Sequence, residues 1–136
     1  MKNISKHITY LESTFSAKAL SSKVDNIPSE EHLVRMIYVA EQCFEPLRVW
    51  YNKPIKINSF YRSPVLNKLV KGSKTSGHVL GNSIDITAGS KKENEKLFNW
   101  LKENVKYDQL INEYDFTWIH ISTKIRGNRN MCFKIV

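Results

Sequence analysis

The sequence predicts an α+β domain, a mostly antiparallel sheet packed with helices. Two long stretches repeat their apolar residues at three- and four-residue spacing, and several short segments alternate apolar with polar residues. In addition, 136 residues that are 41% hydrophobic and 11% aromatic suffice for one core without staples. No internal repeat, low-complexity tract or Gly/Ser linker divides the chain, so residues 1–136 are expected to form one unit.

The first long helix is predicted from Ser29 to about Trp50, with Leu33, Ile37, Ala40, Phe44 and Leu47 on its buried face. Ser29 is the N-cap, and Glu30 and Glu31 suit the positive end of the helix dipole. Pro46 removes a backbone donor, which predicts a kink or break near Gln42 to Glu45. Pro54 to Ser59 alternates as a strand. Ser63-Pro64 then reads as an N-cap followed by a first-turn proline, opening a short helix through Leu69.

Lys71 to Gly81 is polar and glycine-bearing, hence a loop. Ile84 and Ile86 flank Asp85 in a strand, so isoleucines in the core put Asp85 on the opposite face. The second long helix is predicted over Ser90 to Val105, with a Ser90/Glu93 capping box and a stripe of Leu97, Phe98, Leu101 and Val105. Three strands follow, at about Asp108 to Asn112, Thr117 to Ser122 and Met131 to Ile135. In the middle one, Ile119 and Ile121 oppose Trp118, His120 and Ser122. Lys124 to Arg129 reads as a hairpin connection with positive φ at Gly127 and Asn128.

Composition narrows the function classes only part of the way. The formal charge of +8 suits an anionic partner, but Lys and Arg are spread along the chain rather than gathered in a block. Nucleic acid binding through Lys124 to Arg129 is therefore not expected. Cys43 and Cys132 stand in apolar surroundings without a second cysteine at ligand spacing, and are expected to pack as small buried hydrophobes. The first ten residues hold no signal-peptide apolar run, and no stretch approaches the roughly 20 apolar residues that span a bilayer. Synthesis in the cytoplasm without membrane insertion is the expectation.

The chemistry concentrates in Ser76-Gly77-His78-Val79-Leu80-Gly81-Asn82-Ser83-Ile84-Asp85 and in Trp118-Ile119-His120. Two imidazoles and a carboxylate are the ligands of a catalytic zinc ion whose fourth position is left to water. Singly, His78 is an ordinary loop histidine, Asp85 an ion-paired carboxylate and His120 a sheet histidine; their combination points to metal. A hydrolytic site also needs a proton-accepting carboxylate, for which Glu113 and Asp115 are placed, Glu113 with the longer reach. Arg62, following a strand, offers a planar cation suited to an oxyanion or a substrate carboxylate.

Three segments in this order resemble the zinc D-alanyl-D-alanine carboxypeptidase family: Ser59-Phe60-Tyr61-Arg62-Ser63-Pro64-Val65-Leu66-Asn67, Ser76 through Ile86, and Asp108 through Glu113 with Trp118 through Ser122. Ile4 to Thr9 and Glu45 to Arg48 are similar too. That family includes phage cell-wall endopeptidases and shares its fold with the hedgehog signalling domain. The resemblance implies zinc held by His78, Asp85 and His120, with Glu113 as general base and Arg62 polarising the scissile carbonyl. It further implies that Ser76 and Gln109 contact substrate or support the ligands. The implied function is a monomeric zinc peptidase cutting an amide in the peptidoglycan stem peptide, as carboxypeptidase or endopeptidase, in a phage-type lysis setting that releases it to the wall. The competing expectation is a non-catalytic, zinc-stabilised module that binds cell wall or protein.

Overall fold

The computed structural model describes residues 3–136; Met1 and Lys2, part of the expected 1–136 unit and of the stretch read for a leader, lie outside the described residues. The described chain opens with a two-stranded ladder, β1 (Asn3–Ser5) and β2 (Ile8–Thr9), which leads into α1 (Tyr10–Thr14) and α2 (Ala17–Ser22). Thr9 and Glu12 close a capping box on α1, and Ser16 caps α2. These elements are too short to carry a periodic signal, and none of them was anticipated.

The long helix expected from Ser29 is α3 (Glu30–Val39), a π-helical turn (Ala40–Phe44) and α4 (Glu45–Tyr51). The interruption falls where Pro46 requires it. Proline lacks the N–H and its ring crowds the carbonyl four residues back, so the preceding turn widens and the Glu45 N–H bonds to Ala40 O. Of the expected stripe, Ala40, Phe44 and Leu47 are enclosed, together with Met36, Val39 and Cys43, whereas Leu33 and Ile37 are only partly buried. Both cysteines are free; Cys43 is buried as expected and Cys132 is half-buried.

After β3 (Lys56–Ser59) comes α5 (Pro64–Leu69), opened as expected by Ser63, whose hydroxyl accepts from the Leu66 N–H at 3.2 Å. The stretch from Lys71 to Gly81 is not wholly a loop, because it contains α6 (Gly77–Leu80). The Ser76 hydroxyl accepts from the His78 N–H at 3.2 Å to start this turn, and Gly81 ends it at φ 89°. A Cβ at Gly81 would lie 2.8 Å from His32 O, so glycine answers both the positive φ and the close approach to α3.

β4 (Ser83–Thr87) precedes α7 (Lys91–Asn104). Ser90 caps α7 by accepting from the Glu93 N–H at 3.2 Å, but the expected box is only half formed. The Glu93 carboxylate turns outward instead, to the Tyr51 hydroxyl at 2.7 Å and Lys96 at 2.8 Å. Leu97 and Leu101 of α7 are buried, with Phe98 and Val105 packed beside them.

β5 (Gln109–Glu113), β6 (Trp118–Ser122) and β7 (Met131–Ile135) complete a five-stranded sheet of order β3-β4-β6-β5-β7. Its pairs are antiparallel except β5 with β7, which is parallel. The Lys124 to Arg129 connection is accordingly not a hairpin. β6 is already paired on both edges by β4 and β5, so the chain crosses to the free edge of β5. Gly127 has the expected positive φ, 80°; the second such residue is Asn130 rather than Asn128. The Asn128 side chain serves the loop differently, accepting from the Lys124 N–H at 2.8 Å and donating to Thr123 Oγ1 at 3.2 Å.

One face of the sheet presents Ile84, Ile86, Leu110, Ile119 and Ile121 to the core shared with α3, α4 and α7. The period-two alternation of strands then sends Asp85, His120, Ile111 and Glu113 to the other face.

Candidate metal centre

The sheet register sets the site. Ser59 pairs with Asp85, Asp85 with His120, and His120 with Ile111, so one row across β3, β4, β6 and β5 holds the carboxylate beside one imidazole. Directly opposed residues in antiparallel strands have Cβ atoms about 4.5–5.5 Å apart, close enough for their side chains to meet. The second imidazole comes from α6. His78 is aimed at the row by the Ser76 cap below it and by the Arg62 N–H, which bonds to His78 O at 3.2 Å.

These elements bring one ligand atom each from His78, Asp85 and His120 within 4.8 Å of one another. His78 Nε2 lies 3.2 Å from Asp85 Oδ2, and His120 Nδ1 lies 2.9 Å from Asp85 Oδ1. The two rings meet edge to face with centroids 5.2 Å apart. Ligands at about 2.0–2.2 Å from a tetrahedral zinc ion are spaced roughly 3.3–3.6 Å, so the cluster is near the required size.

The donor chemistry fits a cation more closely than the distances alone reveal. His78 Nδ1 lies 2.8 Å from Phe60 O, a carbonyl that can only accept, so Nδ1 carries the proton. In the neutral ring, Nε2 then presents a lone pair to the Asp85 carboxylate at 3.2 Å. Two acceptors facing each other in a nearly dry site repel unless a proton or a metal ion lies between them. The Phe60 carbonyl also fixes the tautomer that a metal-ligating histidine needs. Burial pushes the Asp85 carboxyl up, but the two histidines together outweigh it and hold the group well below the ordinary carboxylate range.

Glu113 stands beside this cluster. Its Oε2 is 4.0 Å from His120 Nδ1 and accepts from Trp118 Nε1 at 3.0 Å, which pins the carboxylate across the β5/β6 pair. Burial and the neighbouring Asp85 charge raise its proton affinity, with His120 and the Trp118 bond opposing them. Asp115, the other carboxylate considered, sits in the turn after β5, is 73% exposed at its side chain and pairs with Lys91 at 2.5 Å. It is directed away from His120 and lines a separate hollow beside Ser90 and Asn94.

Arg62 is half-buried and held on two sides: its NH1 donates to Asn67 Oδ1 at 2.8 Å and its NH2 lies 3.4 Å from Ser59 Oγ. Because Ser59 is the register partner of Asp85, the guanidinium rests one strand away from the Asp85 carboxylate. Burial lowers its proton affinity, and the charges of Asp85 and Glu113 oppose that shift. Its side chain also lines a neighbouring hollow with Phe15, Tyr61 and Leu66.

A cleft of about 470 Å³ opens over Glu113 and His120, and both Ser76 and Gln109 line it. The same cleft is bordered by Ile111, Phe133, Lys124 and Arg129. Sequence reasoning did not single out the partners that orient the site: the Phe60 carbonyl, Asn67 behind Arg62, and the Trp118 indole on Glu113. Trp118 was detectable, since it shares the His120 face of its strand. Phe60 acts through its backbone, which no side-chain pattern reports.

No helix among the described residues is long and apolar enough to cross a membrane. No curated protein matches the chain. The sequence profile described as peptidase M15 matches residues 6–122, a span that contains His78, Asp85, Glu113 and His120. M15 peptidases are zinc enzymes, and the three-residue cluster lies in the part of the sheet that the profile covers. By that match over most of its length, the chain belongs to the peptidase M15 family of zinc D-alanyl-D-alanine carboxypeptidase-like metallopeptidases.

Proposed function

We propose that this chain is a single zinc peptidase domain that hydrolyses an amide bond of the peptidoglycan stem peptide, in the manner of a phage cell-wall lysis enzyme. The observation that carries this reading is the position of Glu113, a fixed carboxylate 4.0 Å from His120 Nδ1 on the floor of an open cleft. A site built only for stability has no use for an unligated acid beside its ligands, whereas hydrolysis requires one.

His78 through Nε2, His120 through Nδ1 and Asp85 would hold the zinc ion. Zinc supplies Lewis acidity toward water and toward an amide carbonyl. The chain's own groups do the rest. Glu113, held by the Trp118 indole, accepts the proton of the attacking water and returns it to the departing nitrogen. Arg62, steadied by Asn67, offers its guanidinium to the charge that develops on the carbonyl oxygen. Phe60 O keeps the Nδ1 proton of His78 in place throughout.

The test is release of peptide from purified peptidoglycan by the zinc-loaded protein, with fragments identified by mass spectrometry. New amino and carboxyl termini within the stem peptide support the proposal, and whether the new fragment is a terminal residue or an internal piece separates carboxypeptidase from endopeptidase action. A protein with a full zinc complement that releases nothing, yet sediments with the wall, would instead be a binding module.

A further inference from the structure

The cleft over the metal cluster has a second charged feature that hydrolysis itself does not use. Asp108, at the root of β5, has a side chain only 3% exposed and accepts from Arg129 Nε at 3.0 Å and NH2 at 2.7 Å, as well as from the Arg129 N–H at 2.9 Å. Lys124 Nζ lies 3.6 Å from Asp108 Oδ1, beyond hydrogen-bonding distance. One buried carboxylate thus organises two cations, and the group keeps a net positive charge.

Backbone bonds fix its base. The Asp108 N–H bonds to Ser122 O at 2.8 Å and the Met131 N–H to Asp108 O at 2.9 Å. Lys124 and Arg129 both border the cleft that contains Glu113, His120 and Gln109. Their side chains are 37% and 53% exposed, so their heads reach the solvent of the cleft rather than the core.

The spacing from the metal cluster is defined by the strand. The Thr123 N–H still bonds to Asn82 O at 3.2 Å, so the direction of β6 persists beyond Ser122. At about 3.3 Å per residue, Lys124 then lies roughly 13 Å along the strand from His120. Allowing for the reach of the lysine, that is about two to four residues of extended peptide. Glu113 is the one carboxylate among the residues that line the cleft, whereas Lys124 and Arg129 are cations at its border. An anionic group on a bound peptide is therefore drawn to the Lys124 end.

We infer that Lys124 and Arg129 form a subsite for a carboxylate carried by the peptide substrate, about two to four residues from the scissile amide. The inference rests on the peptidase reading for its substrate and names which stem peptides the cleft prefers: those whose distal carboxyl is free. Asp108 is a positioning residue, holding the Arg129 fork by two bonds and leaving its remaining amino group and the Lys124 ammonium for the ligand. Gln109, the register partner of Ser122, lines the cleft between the His120 row and Lys124, while Ile111 and Phe133 line it level with His120 and suit the aliphatic part of such a peptide.

Two synthetic stem tetrapeptides test this, one with free carboxylates and one with those groups converted to carboxamides. Affinity is read by calorimetry in the zinc-loaded Glu113→Gln variant, where turnover is suppressed, and cleavage by mass spectrometry with the unsubstituted chain. The acid form is expected to bind about 10-fold or more tightly, the range of a charge-assisted hydrogen bond. Adding Lys124→Gln should lower affinity for the acid form much more than for the amide form; Arg129 remains on Asp108, so the buried carboxylate keeps its partner. Equal affinity for the two peptides, absence of binding by either, or an acid preference that survives both Lys124→Gln and Arg129→Lys overturns the subsite. Cleavage of both peptides at equal affinity removes the subsite alone. An intact acid preference without cleavage of either peptide removes the peptidase reading and leaves the subsite in place.

Discussion

His120 and Glu113 are 4.0 Å apart, yet their surroundings differ, and the proposed function gives them different work. His120 faces Asp85 at 2.9 Å and has a side chain 11% exposed, so its loss would leave the proposed ligand set incomplete around a buried carboxylate. Glu113 is tied to Trp118 and completes no ligand set. The separation is testable with Glu113→Gln, which preserves size and the acceptor for Trp118 while removing the basic oxygen. This variant should retain its zinc by elemental analysis and lose about 10²–10⁴-fold in turnover, the usual worth of a positioned acid-base group. His120→Ala should lose the metal itself. Full activity in Glu113→Gln would move the base role elsewhere, although Asp115 is a poor heir, being engaged with Lys91 on the surface.

Among the elements, Glu45 at the start of α4 ties the helical layer to the N-terminal ladder. It accepts from Ser5 Oγ at 2.6 Å and from the His7 N–H at 2.9 Å, and its Oε1 lies 2.7 Å from His7 Nδ1. Burial pushes its carboxyl up, but the Ser5 and His7 bonds prevail and hold it below the ordinary glutamate value. A carboxyl depressed by folding stabilises fully above its unfolded pKa of about 4.3, and that stabilisation disappears as pH falls through the lower folded value. Urea denaturation from pH 6 to 3 should therefore show a steeper acid loss in the wild type than in Glu45→Gln, which is less stable at pH 6. Parallel curves would mean that the ladder is held by other contacts. This tie was invisible in the sequence, where Glu45 is one more charge on a helix and β1 and β2 are a few residues each. The elements legible beforehand were those with repeated signals: the apolar stripe of α3 and α4, the proline break, and the isoleucine pairs that turned Asp85 and His120 to one face. The turn at α6 and the crossover to β7 were not legible. A single helical turn has no period to detect, and the partner of an edge strand is settled by which edge remains open, a property of the assembled sheet.

In the whole molecule, the candidate ligands come from three elements: His78 from α6, Asp85 from β4, and His120 from β6, the middle strand of the sheet. Without a cation, only a proton can bridge His78 Nε2 and the Asp85 carboxylate across 3.2 Å, whereas a bound metal ion satisfies both. An ion that binds only the folded arrangement adds RT ln(1 + [L]/Kd) to stability, about 2.7 kcal/mol at a hundredfold excess over Kd. For a chain of this length, each kcal/mol corresponds to roughly 3–5 °C in Tm. Zinc should therefore raise the melting temperature by about 8–13 °C at that excess. The shift should vanish in His120→Ala and persist in Glu113→Gln, because only the former removes a ligand. It should also decline with acidity, since protons compete for His78 Nε2 and His120 Nδ1. A melting temperature indifferent to zinc in the wild type would mean that the three side chains are satisfied by protons alone, and the metallopeptidase chemistry would lose its foundation in this fold.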